Sequence, residues 1–423
     1  MRPLNLSTRR GVTCWNRPKR LSSATLAHAR TNTGESRAPL AEDGDYALSN
    51  GDPGKVLLKR PAGYTFGGGP GAVRDIVKQR AAAEILSGGL LELSHRERGQ
   101  IHELLVSTQQ LIRELLAVPQ DYDILFCQGG AHAQFAAIPL NFGENPKVLS
   151  CITGAWSLKA TNEQKKFASV TELHEPSASH QAEILNPFVQ ALQSDQFDYG
   201  YICSNETMQG VQLRDDSLFA RATLPVVVDS TSDLFSRKMD ISKYGVVFAS
   251  GGKNFGPAGC TLVIARKDIS ARSGSSKLPS ILSWKEFASS TPVQNIYNTP
   301  PMLAIGLARL VLDDLQKRGG VEWAETRCRA LSSAIYDEID ASDGFFVNKV
   351  SKDLRSQVSV VFGIPRDPSL EAKFVEQAES YGLQQLVNHP SVGGMRASLY
   401  NAVPVKAVEH LIEFMRDFRR RHA

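Results

Sequence analysis

Short apolar runs alternate along the chain with longer stretches in which apolar residues recur every third or fourth position. Tyr122–Cys127, Lys147–Ile152, Tyr199–Cys203, Leu224–Val228, Gly245–Ser250 and Cys260–Ala265 have the length and β-branched content of buried strands. Helical spacing predicts elements over Ala72–Leu86, Arg96–Leu116 and Met302–Gln316, and Ala131–Pro139 opens another behind Gly129-Gly130. Farther on, Val358–Ile364 reads as a strand, Ser369–Tyr381 as a helix and Pro404–Arg420 as a final helix. Pro404 suits a first helical position, where its missing N–H costs nothing. Such alternation predicts an α/β fold, with a mostly parallel sheet between helices and then a smaller C-terminal α/β domain. The expected boundaries are 62–315 for the large domain and 316–423 for the small one.

Charge changes this picture only at the N-terminus. Residues 1–34 hold seven Lys/Arg and no acid; removing them from the net charge of +4 leaves −3 for residues 35–423. The basicity therefore marks no nucleic-acid surface on the folded body. A Ser/Thr-rich basic leader of this kind reads as a transit peptide to mitochondrion or plastid, or else as an uncleaved basic extension. Residues 35–61 read as a linker. No apolar run reaches membrane-span length, so a soluble protein without a membrane partner is expected. Six cysteines (14, 127, 151, 203, 260 and 328) lack CxxC spacing, which suits reduced, buried thiols in an intracellular compartment. The nine histidines form no zinc-ligand pattern, so no metal is expected.

The candidate chemistry lies between the last two strands of the large domain. Lys253 sits in Ala249-Ser250-Gly251-Gly252-Lys253-Asn254-Phe255-Gly256, delivered to the sheet end by a glycine-rich turn. Partial desolvation there lowers a lysine's pKa and makes its amine nucleophilic toward an aldehyde, although most lysines are surface charges. Asp229 ends an upstream apolar run, 24 residues earlier, a spacing that accommodates one crossover between parallel strands. An aspartate there also serves as a turn or N-cap residue. A lysine and a carboxylate at strand ends are what pyridoxal phosphate chemistry requires: one holds the cofactor covalently, the other keeps its ring nitrogen protonated.

Longer motifs carry a resemblance. Phe66-Gly67-Gly68-Gly69-Pro70-Gly71-Ala72, Glu92-Leu93-Ser94-His95-Arg96, Leu125-Phe126-Cys127-Gln128-Gly129-Gly130 and Ser204-Asn205-Glu206-Thr207 occur in order. Gly251-Gly252-Lys253-Asn254-Phe255-Gly256, Tyr297-Asn298-Thr299-Pro300-Pro301 and Gly394-Met395-Arg396-Ala397-Ser398-Leu399-Tyr400-Asn401 follow. Over about residues 62–423 the chain resembles the phosphoserine aminotransferases, class-V members of the fold-type I pyridoxal phosphate enzymes. The resemblance implies a seven-stranded sheet and pyridoxal 5'-phosphate as cofactor. It implies that Gly130, Ala131 and His132 meet the cofactor phosphate, Trp156 stacks on the ring, Thr207 lies near the ring and Asp229, and Lys253 is the covalent anchor. Asn298 and Thr299 would reach the cofactor phosphate of a neighbouring subunit, making a homodimer with shared sites. Arg396 would clamp the substrate α-carboxylate, with His95, Arg96 and His389 on its distal phosphate.

The chain departs from the family pattern in three motifs: Ala131-His132 stands for Gly-Arg, Gly252 for Gln, and Pro390 for an arginine beside His389. The first two weaken phosphate retention without abolishing it, and the third removes one of four basic groups around the substrate's distal anion. The implied reaction passes the amino group of L-glutamate to 3-phosphohydroxypyruvate, with Lys253 moving the proton. Alternatives are another anionic or small 2-oxo acid, such as 3-sulfopyruvate or glyoxylate, and a catalytically silent pyridoxal-binding protein. Retention of Lys253, Asp229, Trp156 and Arg396 together argues against silence.

Overall fold

A computed structural model describes residues 62–96, 99–175 and 177–423. The leader and linker expected over residues 1–61 lie outside the described residues. A seven-stranded sheet contains β1 (Tyr122–Cys127), β2 (Lys147–Ile152), β3 (Ser169–His174), β4 (Tyr199–Cys203), β5 (Val226–Asp229), β6 (Val246–Ser250) and β7 (Thr261–Arg266), in the spatial order β1-β7-β6-β5-β4-β2-β3. All neighbours pair in parallel except β7, which is antiparallel to both β1 and β6.

The central strands are apolar without alternation because helices cover both faces. Val227, Val228, Val246, Val247 and Phe248 are all fully buried, each stabilising the sheet by about 1.5–3 kcal/mol relative to an exposed side chain. β3 was not foreseen. It is an edge strand with an alternating, partly exposed sequence, so it lacks the continuous apolar run that marks the others.

Helices α1 (Asp75–Leu86), α2 (Gln100–Leu116), α3 (Gly130–Phe142), α4 (Ala155–Gln164), α5 (Gln181–Ala191) and α6 (Met302–Lys317) accompany the sheet. Helix α7 (Gly320–Asp340), the longest described element, follows α6 after a two-residue turn and was also unforeseen. A second core gathers Leu331, Ile335 and Ile339 of α7 with Phe374 of α8 (Ser369–Ser380) and one face of α9 (Val405–His422). That face carries Ala407, Val408, Leu411, Phe414, Met415 and Phe418, the spacing of an amphipathic helix. Pro404 flanks α9 in extended conformation instead of occupying its first turn. A short antiparallel pair, β8 (Ser359–Phe362) and β9 (Met395–Ser398), completes this part.

The segment before α1 packs on the C-terminal part. Tyr64–Thr65 pair in parallel with Leu383–Gln384, and Phe66 is fully buried in the second core. Residues 67–71 then pass from that core to the sheet's C-terminal edge, where the Gly71 N–H donates to the Gly252 carbonyl at 2.8 Å.

Candidate active site

Parallel strands β1, β2, β4, β5 and β6 bring their C-terminal ends to one edge, where the segments that follow them meet Gly68 from the N-terminal stretch and Arg396 and Tyr400 from the C-terminal part. Between β6 and β7 the chain makes a closed turn: Gly251 N–H donates to Cys260 O (2.8 Å), Gly252 N–H to Gly256 O (2.6 Å) and Gly256 N–H to Lys253 O (3.2 Å). Gly252 has φ +97°, a conformation in which any side chain is strained even though the space around it is open. This turn directs Lys253 away from solvent. Its Nζ donates to the carbonyl of Gly68, which also accepts the Tyr400 hydroxyl at 2.8 Å, and lies 5.5 Å from the Tyr400 ring centroid. Burial first, and then the positive charge of Arg396, lower the Lys253 amine to about 8, against the opposing pull of Asp229.

Asp229 ends β5 with 4% of its surface exposed, and its Oδ1 accepts the Thr231 N–H at 2.9 Å. Burial raises its carboxyl to about 6, partly offset by Thr231. Beside it, Thr207 Oγ1 accepts the indole N–H of Trp156 at 2.9 Å. The backbone N–H groups of Trp156 and Ser157 donate to Glu206 Oε2 and Oε1 at 2.8 and 2.7 Å. Glu206 is thus a fully buried carboxylate that caps α4 and fixes the tryptophan at its start.

Helix α3 begins at Gly130 behind Gly129, and both glycines have positive φ. The first N–H groups of α3, from Gly130, Ala131 and His132, have no acceptor inside the helix and form a cradle for an anion. The His132 ring meets the Trp156 ring edge-on at 6.2 Å, which places the cradle next to the tryptophan face. On the opposite wall, Arg396 of β9 reaches the Thr207 carbonyl through Nη1 at 3.4 Å, while its Nε is buried without a hydrogen-bond partner. A side chain at Gly68 would overlap this guanidinium.

Lys253, Asp229, Thr207, Trp156, His132 and Arg396 therefore converge, with Gly130, Ala131 and Gly252 in the same loops. His95, Arg96, Asn298 and Thr299 do not join them. Among the described residues the Arg96 N–H donates to Ser94 Oγ, the His95 carbonyl lies 3.2 Å from His102 Nε2, the Thr299 carbonyl accepts from Gln128, and Asn298 Oδ1 is buried without a partner. His389 is exposed, its Nδ1 2.7 Å from Ser391 Oγ, on a loop anchored where Asn388 Nδ2 donates to the Met208 carbonyl. Sequence reasoning passed over Glu206, Gly68, Tyr400 and Thr231. The first three lie inside quoted motifs, yet nothing in their residue types announces a carboxylate cap or a carbonyl shared by Lys253 and Tyr400.

The residues present fit pyridoxal phosphate: a depressed amine, a buried carboxylate, an indole held by Thr207, an N-terminal amide cradle and an orphaned guanidinium N–H. The comparisons agree. The family described as aminotransferase class-V matches residues 82–411, and the chain belongs to that family. It is similar to the phosphoserine aminotransferase of Marinomonas sp. (strain MWYL1), 41% identical over 367 residues, covering 85% of this chain and 99% of that protein. It is also similar to phosphoserine aminotransferase 2, chloroplastic, of Arabidopsis thaliana, 36% identical over 365 residues and 85% of each chain. A crystal structure of PLP-bound phosphoserine aminotransferase from Trichomonas vaginalis superposes with a TM-score of 0.74 at 34% identity, covering 84% of this chain and 99% of that one.

Proposed function

We propose that this protein transfers the amino group of L-glutamate to 3-phosphohydroxypyruvate, giving O-phospho-L-serine and 2-oxoglutarate, with pyridoxal phosphate as cofactor. The observation that carries the reading is the meeting of Lys253, Asp229 and Arg396 in one buried site, in a chain about 40% identical to phosphoserine aminotransferases.

The geometry supports a role for each residue. When bound, the pyridoxal ring supplies an electron sink that acidifies the amino acid's α-carbon. Asp229, its carboxyl raised by burial only to about 6, would hold a proton on the ring nitrogen. Trp156, fixed by Thr207 and Glu206, would pack against the ring. The α3 amides of Gly130, Ala131 and His132 would bind the cofactor phosphate. Arg396 meets the substrate α-carboxylate with its spare N–H, a planar bidentate task lysine performs poorly. Lys253, with an amine near 8, is neutral often enough to accept the α-proton and still basic enough to return it.

The resemblance assigns His95, Arg96 and His389 to the substrate's distal phosphate, and Asn298 and Thr299 to the cofactor phosphate of a second subunit. Among the described residues none of these side chains hydrogen-bonds to Lys253, Asp229 or Arg396, which supports a homodimer in which each active site draws on both copies. Residues 62–315 would then form the cofactor-holding domain and 316–423 the smaller domain that carries Arg396. The acid-free basic stretch 1–34 supports delivery to an organelle, in keeping with a chloroplastic Arabidopsis relative.

A panel of amino acids tests the reading. The cofactor-loaded enzyme is mixed with phosphoserine, cysteate, serine or alanine, and loss of the cofactor's visible band is timed. Phosphoserine is expected to act fastest; a faster response to cysteate or alanine would reassign the acceptor to 3-sulfopyruvate or pyruvate.

A further inference from the structure

The strongest feature outside the active site is a cleft of about 990 Å³ lined by Arg74, Arg318 and Arg327, at the turn between α6 and α7. Arg74, just before α1, is held by both carboxylate oxygens of Asp314, at 2.5 and 2.7 Å. The same carboxylate lies 3.5 Å from Arg318 Nε, an atom buried without a hydrogen bond. Arg327 forms no ion pair among the described residues. It donates to the Val403 carbonyl and stacks 5.6 Å from the Trp323 ring, whose centroid is 4.8 Å from the Arg318 guanidinium. The next carboxylate, Asp313, is already shared by Arg80, Arg309 and Lys317.

Arg74 and Arg318 thus share the Asp314 carboxylate, and Arg327 has none among the described residues; with the lining pair Lys78–Asp75 (2.7 Å) neutral, two positive charges remain in excess in a half-buried cleft. Burial and the nearness of Arg318 and Arg74 pull Arg327 below its ordinary value, as expected of cations crowded without a counter-ion. Guanidinium forks match oxyanions bidentately, and two excess charges match a dianion. The Trp323 ring fixes the planes of Arg318 and Arg327, so little side-chain freedom remains to be lost on binding. A neighbouring cavity lined by Arg74, Arg318, Trp323 and Asn401 also touches Lys253 and Asn254, and the Asn401 N–H donates to Asn254 Oδ1 at 2.9 Å.

We propose that this cleft is a second anion site, in which Arg74, Arg318 and Arg327 bind a phosphate dianion or phosphate ester behind the turn that carries Lys253. The site uses none of the residues assigned to the cofactor or the substrate.

The test is titration of the cofactor-loaded full chain with inorganic phosphate and, separately, glycerol 3-phosphate, at ionic strength held constant with chloride. Binding is followed by tryptophan fluorescence and by thermal unfolding. Wild type should show saturable binding that Arg327→Gln weakens at least tenfold. Asp314→Asn, which removes the competing carboxylate, should tighten binding several-fold, an effect of opposite sign that loss of fold does not imitate. Tighter binding of the ester identifies an ester site, and equal binding identifies free phosphate; both support the proposal. Equal affinities in wild type and both variants, or a response that chloride reproduces, would overturn it.

Discussion

Glu206 and Trp156 are joined by a hydrogen bond of 2.8 Å from the tryptophan backbone N–H to a carboxylate with no solvent exposure. With the Ser157 N–H on the same carboxylate and Thr207 on the indole, that contact fixes the start of α4 and the position of Trp156. Gly154 has no side chain because a Cβ there would crowd Glu206 Cδ at 2.6 Å.

The first expectation follows from it. Glu206→Ala leaves two buried N–H groups without an acceptor and removes a cap, costing about 1–3 kcal/mol. Cofactor affinity should fall about tenfold, with a change in the near-ultraviolet circular dichroism of the loaded enzyme. Glu206→Gln, which keeps one acceptor oxygen, should fall between the two. An unchanged dichroism signal in Glu206→Ala would show that Trp156 is held by other means.

Capture of cofactor by the unloaded enzyme should depend on the neutral Lys253 amine. Because the amine is lowered to about 8, the capture rate should rise with pH and level off above that value. Arg396→Gln removes a repelling positive charge, so the amine should become more basic and the midpoint should move to higher pH. A midpoint that stays in place, or moves down, contradicts the coupling between these two residues.

Gly252 offers a case where two effects compete. A glutamine there would add a contact to the cofactor phosphate, about 1.5–3 kcal/mol for a hydrogen bond to a charged group, but φ +97° strains it by about 1–3 kcal/mol. The strain acts in both forms, the contact only in the loaded one. Gly252→Gln should therefore lower the melting temperature of the unloaded protein while the loaded enzyme recovers most of the difference. Equal losses in both forms would mean that the glutamine never reaches the phosphate.

Pro390 sits on an exposed loop, so Pro390→Arg should fold normally and add a charge to the rim beside His389. About a tenfold lower KM for 3-phosphohydroxypyruvate is expected, equivalent to about 1.4 kcal/mol. Arg96→Ala should raise the same KM while sparing an unphosphorylated acceptor. Steady-state kinetics in which both variants match wild type would remove this cluster from specificity.

The buried strands were legible because each is a short apolar run bounded by turn residues, and Tyr122–Cys127, Lys147–Ile152 and Tyr199–Cys203 fall at the expected positions. β3 escaped because an edge strand needs no continuous apolar run, and α7 because its Gly319-Gly320 start resembles a loop. The site was legible in part. Asp229 ends one recognisable strand and Lys253 lies in the turn after the next, so topology alone brings them to one edge. Glu206 was not, since a carboxylate in the two-residue strand Asn205–Glu206 looks like any solvated acid until its two backbone donors are seen. The Gly68 carbonyl was beyond reach for the same reason: its contact with Lys253 depends on residues 64–66 docking on the C-terminal core, far away in sequence.

The covalent anchor is open to direct chemistry. Borohydride treatment of the loaded enzyme should fix the cofactor mass on the peptide containing Lys253, and Lys253→Ala should take up none covalently. An adduct on a different lysine would displace Lys253 from the role given to it.

The central claim is the identity of the acceptor, and the most direct measurement is kcat/KM for 3-phosphohydroxypyruvate, 3-sulfopyruvate, pyruvate and glyoxylate with L-glutamate as donor. The account predicts the highest value for 3-phosphohydroxypyruvate, with one O-phospho-L-serine formed per 2-oxoglutarate and no turnover in Lys253→Ala. A higher value for any of the other three acceptors would contradict it.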